Sequence, residues 1–263
     1  MPASQLAWQM QVWKSRLRHW AKYAVHAPRV YRNWPSMLTS GWHRAPITLR
    51  LRNGLQFVVR PGSGDRATIN EMFVQNTYLA DPRFAIAAGD RVLDIGANIG
   101  AFTLLAARAA PRGKVCAVEP ETGNFAVLQQ NIALNRAENV DLLQVAVGAS
   151  EGHAVISAAG ILSSTVGDSG SSAQTVPQVT LASLVARLGE VDLLKMDCEG
   201  AEFDIFFSTP LPVLQKIRRI TMEYHNASAA RSGAALGDIL INAGFEVMIR
   251  GGDWNGLLTA IRS

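Results

Sequence analysis

Five groups able to bind a polar ligand or move a proton stand where apolar runs of this 263-residue chain end. Asp94 follows Val92-Leu93, Glu119 follows residues 114–118, Asp197 follows 191–196, and Glu223 and His225 follow 219–222. Short apolar runs of this kind read as buried strands, and in open α/β sheets ligands sit at the carboxyl ends of the strands. Period-two alternation puts Lys195 and Asp197 on one face and Glu223 and His225 on a shared face of their own strand. A carboxylate or an imidazole so placed can take a proton from a bound reactant. That assigns Asp197 or His225 as proton acceptor or relay, with Glu199 and Glu223 orienting the reactant or the acceptor. Lys195 is placed to neutralise Asp94 or Asp197; a purely structural ion pair is its competing role.

Residues 92–103, VLDIGANIGAFT, say which ligand the crevice is built for. A strand delivers Asp94 into a loop with Gly96 and Gly100, and residues 101–110 have helical composition. Glycine lets backbone approach a ligand closely, and a helix start presents free N–H groups. A dinucleotide loop wants G-x-G-x-x-G, but the middle glycine position is Asn98. D-x-G-x-N-x-G is instead the pattern of a loop around the amino-acid end of S-adenosylmethionine. Glu119, 25 positions after Asp94, ends the second strand, where Rossmann-type folds hold ribose hydroxyls; a carboxylate accepts two hydrogen bonds from a diol. The candidate cofactor set is therefore Asp94, Gly96, Ala97, Asn98, Gly100, Phe102 and Thr103 from the loop and helix start, with Glu119, Pro120 and Asn124. Ala146 is expected beside the adenine, and Tyr78 is a candidate lid residue, half-buried packing being its other role.

The elements that must position these groups follow along the chain. ITLRLR-Asn53-Gly54-LQFVVR predicts a β-hairpin with a type I′ turn. Residues 65–80 read as a helix leading to Tyr78 ahead of Asp81-Pro82. Phe125, Leu128 and Ile132 mark a helix ending near Asn135, and 141–147 read as the third strand, closed by Gly148. Residues 160–175, rich in Ser and Gly, read as a loop at the substrate entrance or as plain disorder. Runs at 245–249 and 257–261 supply two last strands that reverse at Gly251-Gly252.

VLDIGANIGAFT, AVEPETGNFAVLQQNIALN, VAVG and LLKMDCEGAEFDIF together resemble the FkbM family of S-adenosylmethionine-dependent methyltransferases over roughly residues 47–260. The resemblance implies an α/β class I (Rossmann-like) methyltransferase fold and, usually, methylation of an oxygen on a natural product or sugar. One departure is Ala182, where the family often carries an acid after Thr-Leu. The expected architecture is a seven-stranded, mostly parallel sheet with an antiparallel last strand, preceded by an N-terminal helix and the β-hairpin. The domains are 1–46, a basic helix and Pro-containing connector, and 47–263, in which hairpin and lid helix (47–88) precede the core (89–263). The function expected is O-methylation of a small-molecule or glycan hydroxyl. Competing readings are a non-catalytic S-adenosylmethionine binder, an NAD-dependent oxidoreductase, and a metal-dependent enzyme of the catechol type. The last, the less favoured, would use Asp197, Glu199 or Glu223 as oxygen ligands for a divalent metal such as magnesium.

Composition bounds the rest. The net charge of +4 hides an asymmetry: residues 1–64 carry ten Lys or Arg and no acid, leaving fifteen bases against twenty-one acids beyond them. Leu6, Met10, Trp13, Leu17, Trp20 and Ala24 form one helical stripe flanked by Lys14, Arg18 and Lys22. Such a helix packs on protein, its own body or a second subunit; peripheral membrane contact through residues 4–26 is the alternative. Nucleic acid is not expected as a partner, because no RNA-binding motif accompanies the charge. Pro28, Pro35 and Pro46 punctuate a connector over 27–46. Cys116 and Cys198 lack metal or disulfide spacing, and neither a secretory signal nor an apolar run of about 18 residues is found, which reads as a cytoplasmic protein.

Overall fold

The computed structural model describes residues 26–39, 43–157, 160–162, 173–252 and 255–262. The amphipathic stripe of residues 6–24 lies outside the described residues. The chain divides into two compact units, one through Asn76 and one from Thr77.

In the first unit the supposed connector contains helix: residues 26–30, and α1 (Trp34–Thr39). Pro35 sits in the first turn of α1, where a missing N–H costs nothing. The hairpin is present, β1 (Ile47–Arg50) against antiparallel β2 (Gln56–Val59), but its turn is not type I′. Gly54 has φ 96° while Asn53 stays at negative φ. The Gly54 N–H bonds the Leu51 carbonyl at 3.1 Å and the Leu51 N–H bonds the Leu55 carbonyl at 2.8 Å, the three-residue form of hairpin closure. The helix predicted over 65–80 is shorter. Helix α2 (Asp65–Asn70) runs into one π-turn (Glu71–Gln75) and stops at Asn76, whose left-handed φ of 53° ends it.

The second unit is built on a seven-stranded sheet. It comprises β3 (Arg91–Ile95), β4 (Lys114–Val118), β5 (Val140–Leu143), β10 (Leu193–Met196), β11 (Arg219–His225), β12 (Glu246–Gly251) and β13 (Asn255–Ile261). The order is β5-β4-β3-β10-β11-β13-β12, all parallel except β13, which runs antiparallel to both neighbours. This is the sheet the sequence predicts. Its central strands are buried on both faces, as their apolar composition requires. Helices α3 (Ala101–Ala109), α4 (Thr122–Asn135), α5 (Leu181–Leu188), α6 (Glu202–Ser208), α7 (Leu211–Leu214) and α8 (Gly233–Asn242) link the strands. Strand order reverses at the β3/β10 junction, where a doubly wound sheet opens its ligand crevice.

The third strand differs from its prediction. It leaves the main sheet after Leu143, and Ala146–Gly148 (β6) pairs in parallel with β9 (Gln174–Thr180) in a second sheet, completed by β7 (Gly152–Ser157) and β8 (Gly160–Leu162). Two stretches predicted as loop, 160–162 and 174–175, are thus strand; 163–172 lie outside the described residues. Thr180 caps α5 through the Ser183 N–H at 3.2 Å, and Glu151 accepts the Thr180 N–H at 3.1 Å. The carboxylate at this cap therefore comes from β7's approach, not from position 182. No helix of the described residues is long and apolar enough to cross a membrane.

Candidate functional site

The C-terminal ends of β3, β10 and β11 lie side by side and carry most of the anticipated groups. Across β3 and β10, Asp94 pairs in register with Lys195. Asp94 is fully buried; its Oδ2 accepts from Thr103 Oγ1 at 2.6 Å, and its Oδ1 lies 3.4 Å from Lys195 Nζ. Lys195 also donates to the Gly96 carbonyl at 2.8 Å and sits 5.3 Å from the centre of the Tyr78 ring. Burial works against the ammonium, but the charges of Asp94 and Asp197 outweigh it, and the Lys195 pKa stands above its ordinary value. Lys195 neutralises Asp94 by contact and Asp197 through space.

Gly96, with φ 76°, packs against the end of β10 so closely that a Cβ would lie 1.8 Å from the Asp197 carbonyl oxygen. Asn98 takes the left-handed conformation (φ 51°) that the missing middle glycine would have supplied, as asparagine tolerates. Its N–H donates to Glu119 Oε2 at 2.8 Å. The loop is further pinned by Asn131 of α4, a buried side chain that donates to the Ile99 carbonyl at 2.8 Å. Gly100 (φ 88°) then starts α3, placing Phe102 and Thr103 inside.

Glu119 is 5% exposed, and its Oε1 accepts the Glu121 N–H at 3.0 Å and Asn124 Nδ2 at 3.5 Å. Burial pushes its carboxyl above the usual range, although three hydrogen bonds oppose this. Pro120 and Glu121 carry the chain into α4, whose first turn Glu121 caps through the N–H groups of Gly123 and Asn124. Ala97 is buried against Ala117 and Leu128. Ala146 lies outside the main sheet in which the sequence reading put it. It belongs to the second sheet, and its side chain is packed with Ala154, Ile156 and Val176.

Tyr78 is not on a helix and is 2% exposed, more deeply buried than a half-buried packing residue. Its hydroxyl donates to Asp197 Oδ2 at 3.1 Å, and its ring meets Phe102 edge-on at 6.2 Å. Thr221 of β11 fixes it from behind, donating to the Tyr78 carbonyl at 3.1 Å.

The β11 end gathers three carboxylates on one imidazole. His225 Nε2 lies 3.5 Å from Glu199 Oε2 and 4.0 Å from Glu223 Oε1, and Nδ1 lies 3.5 Å from Glu202 Oε1. Together, led by Glu202, they raise the His225 pKa to about 9. Burial, with the charge of Asp197 beside it, raises Glu223, whose Oε1 accepts from Asn255 Nδ2 at 3.1 Å. Asp197, Glu199 and His225 each offer a donor atom within 4.8 Å of the others, close enough for a divalent cation to bridge.

Among the described residues, the buried side-chain polar atoms without a hydrogen-bond partner are Asp94 Oδ1, Asp197 Oδ1, Glu202 Oε2 and His225 Nδ1. All belong to the ends of β3, β10 and β11 or to the first residue of α6. Buried polar atoms are nearly always satisfied, so their concentration in one place marks it as built for something that arrives. Sequence reasoning missed Glu202, Asn131 and Thr221. Glu202 carried a signal in its spacing from Asp197 in DCEGAE; Asn131 and Thr221 carried none.

The comparisons with known proteins bear on the family and the fold. The model of the methyltransferase FkbM domain matches residues 94–247, more than half of the chain. The AMB antimetabolite synthetase AmbE of Pseudomonas aeruginosa is 29% identical over 225 residues, 68% of this chain but 10% of that much longer protein. Methyltransferase 1 of Beauveria bassiana is 25% identical over 209 residues, 70% of this chain and 82% of its own. Among solved structures, methyltransferase FkbM from Methylobacillus flagellatus superposes with a TM-score of 0.50 at 15% identity, over 70% of this chain and 47% of that one, and shows the same class I Rossmann-like fold. On the family match and the strand-end site together, the chain belongs to the FkbM methyltransferase family.

Proposed function

We propose that this chain transfers a methyl group from S-adenosylmethionine to a hydroxyl oxygen of a small-molecule natural product or a glycan. The observation that carries the reading is the set of buried atoms without a hydrogen-bond partner at the ends of three adjacent strands and the start of α6. The residues fit the cofactor: Asp197 Oδ1, which lacks a hydrogen-bond partner, would receive a cationic amino-acid end beside the Asp94–Lys195 pair, the 96–100 loop would wrap it, and Glu119 keeps acceptor capacity for a ribose diol. S-adenosylmethionine supplies an activated methyl on a sulfonium. The protein's share is alignment and removal of the acceptor proton. As the new carbon–oxygen bond forms and the carbon–sulfur pair returns to sulfur, the hydroxyl proton passes to Asp197 or His225, with Glu199 and Glu223 orienting the acceptor. AmbE, by its name a synthetase of an antimetabolite, supports a small-molecule acceptor. Two free thiols, Cys116 and Cys198, support a reducing, cytoplasmic setting.

A metal-assisted variant rests on the bridging distance of Asp197, Glu199 and His225. Incubation with methyl-labelled S-adenosylmethionine and extracted metabolites, with and without a chelator, tests both. Label on an oxygen, insensitive to chelation, supports direct proton transfer; chelator sensitivity supports the metal. Tight cofactor binding without turnover of any extract would make the chain a binder.

A further inference from the structure

We infer that Glu202 is a positioning residue of the methyl transfer: its buried carboxylate aims His225 at the acceptor and holds the turn that carries Asp197 and Glu199. The inference rests on the proposed reading of the site and adds to it a residue that acts through His225 and through the turn after β10.

Glu202 opens α6 and is fully buried, an expensive place for a carboxylate unless it is compensated. Its compensation is local and specific. Oε1 accepts the N–H of Cys198 at 3.0 Å and of Gly200 at 3.2 Å, the two residues that flank Glu199. Glu199 and Gly200 have φ 52° and 105°, a left-handed pair that a non-glycine residue adopts at a cost. The carboxylate is thus the post around which the turn after β10 is wound, and that turn places Asp197 before it and Glu199 within it.

The same oxygen faces Nδ1 of His225, which has no aligned hydrogen-bond partner, at 3.5 Å. The imidazole consequently has two unlike edges. Its Nδ1 edge meets a carboxylate with no exposure, and its Nε2 edge meets Glu199, 72% exposed, and Glu223, 26% exposed. A ring held from behind by a fixed buried acid presents its other nitrogen outward, the arrangement of a proton acceptor oriented by a third group. An ordinary core acid would not face the imidazole edge of a proposed acceptor.

A double-mutant cycle tests this, measuring kcat and the S-adenosylmethionine Kd for wild type, Glu202→Gln, His225→Ala and the double variant. Gln keeps one oxygen for the two backbone N–H groups but loses the charge facing Nδ1. Glu202→Gln is expected to lower kcat by about 10- to 100-fold with Kd unchanged, and to add nothing in the His225→Ala background, because residues acting as a unit are not additive. Equal losses in both backgrounds would make Glu202 merely structural and overturn the inference while leaving the proposed function standing. Undiminished turnover by His225→Ala would overturn it as well, and leave Asp197 as the proton acceptor. Absence of methyl transfer by the wild-type protein would instead refute the proposed function itself. If Glu202→Gln does not fold, the cycle is run with Glu202→Asp, which keeps the charge but draws it back from Nδ1, with the same criterion.

Discussion

The carbonyl oxygen of Asp197 would lie 1.8 Å from a Cβ on Gly96, so the ends of β10 and β3 touch through bare backbone. Gly96 therefore serves packing between the strands that open the crevice at least as much as room for a ligand. Its φ of 76° adds a penalty of about 1–2 kcal/mol for any L side chain. Gly96→Ala is expected to lower Tm by at least about 4 °C and to abolish cofactor binding, since the Asp197 backbone must move. Gly252→Ala, with nothing within 4 Å, is the control and should leave Tm unchanged. Matching melting curves for the two variants would contradict the close approach.

Glu119 joins two roles, holding the Asn98 N–H of the glycine loop and presenting acceptor capacity to a diol. Glu119→Ala should weaken S-adenosylmethionine by about 1.5–3 kcal/mol, the worth of hydrogen bonds to a charged group. Titration calorimetry gives the answer directly. An unaltered Kd would place the ribose elsewhere.

How much of this was legible in the sequence depends on how local its cause is. The strands ending at Asp94, Glu119 and Asp197 are continuous apolar runs, and a short-range pattern suffices to place them. Strand parity puts Lys195 on one face with Asp197, and the register of β3 and β10 sets Asp94 opposite it. The failures have non-local causes. Residues 146–148 carry the same apolar character as 140–143, and only pairing with β9 takes them out of the main sheet. Tyr78 reads as a lid or packing residue, and nothing nearby announces that Asp197, 119 positions on, will take its hydroxyl. Glu202 drew no assignment, since its burial among Cys198, Gly200 and His225 is decided by how β10 and β11 lie together.

Lys195 and Asp94 are a buried pair, 5% and 0% exposed at their side chains. Removing one partner strands the other without water, a loss of about 3–5 kcal/mol. Lys195→Met should thus lower unfolding stability by that order in chemical denaturation. The double variant Asp94→Asn with Lys195→Met should recover part of it, because no unpaired buried charge remains. Failure of the second change to restore any stability would mean that the Gly96 and Tyr78 contacts of Lys195, and not the charge pair, are what matter.

His225 ties the site's stability and its chemistry to the same proton. Its pKa is raised to about 9, from about 6.5 for a free imidazole, led by Glu202 and helped by Glu199 and Glu223 against the opposing effect of burial. A raised folded-state pKa means that the imidazolium's contribution to stability is complete below about pH 6.5 and is lost as pH climbs through 9. The Tm of wild type should therefore fall between pH 7 and 9 relative to that of His225→Gln, whose curve lacks this titration. Turnover should move the other way. If Nε2 takes the acceptor proton, the ring must first be neutral, so kcat/KM should rise with pH through about 9 and level off above it. We expect that limb in wild type and its disappearance in His225→Gln. A kcat/KM flat from pH 6 to 9, alongside the predicted Tm difference, would leave His225 as a fixed cation and assign the proton to Asp197.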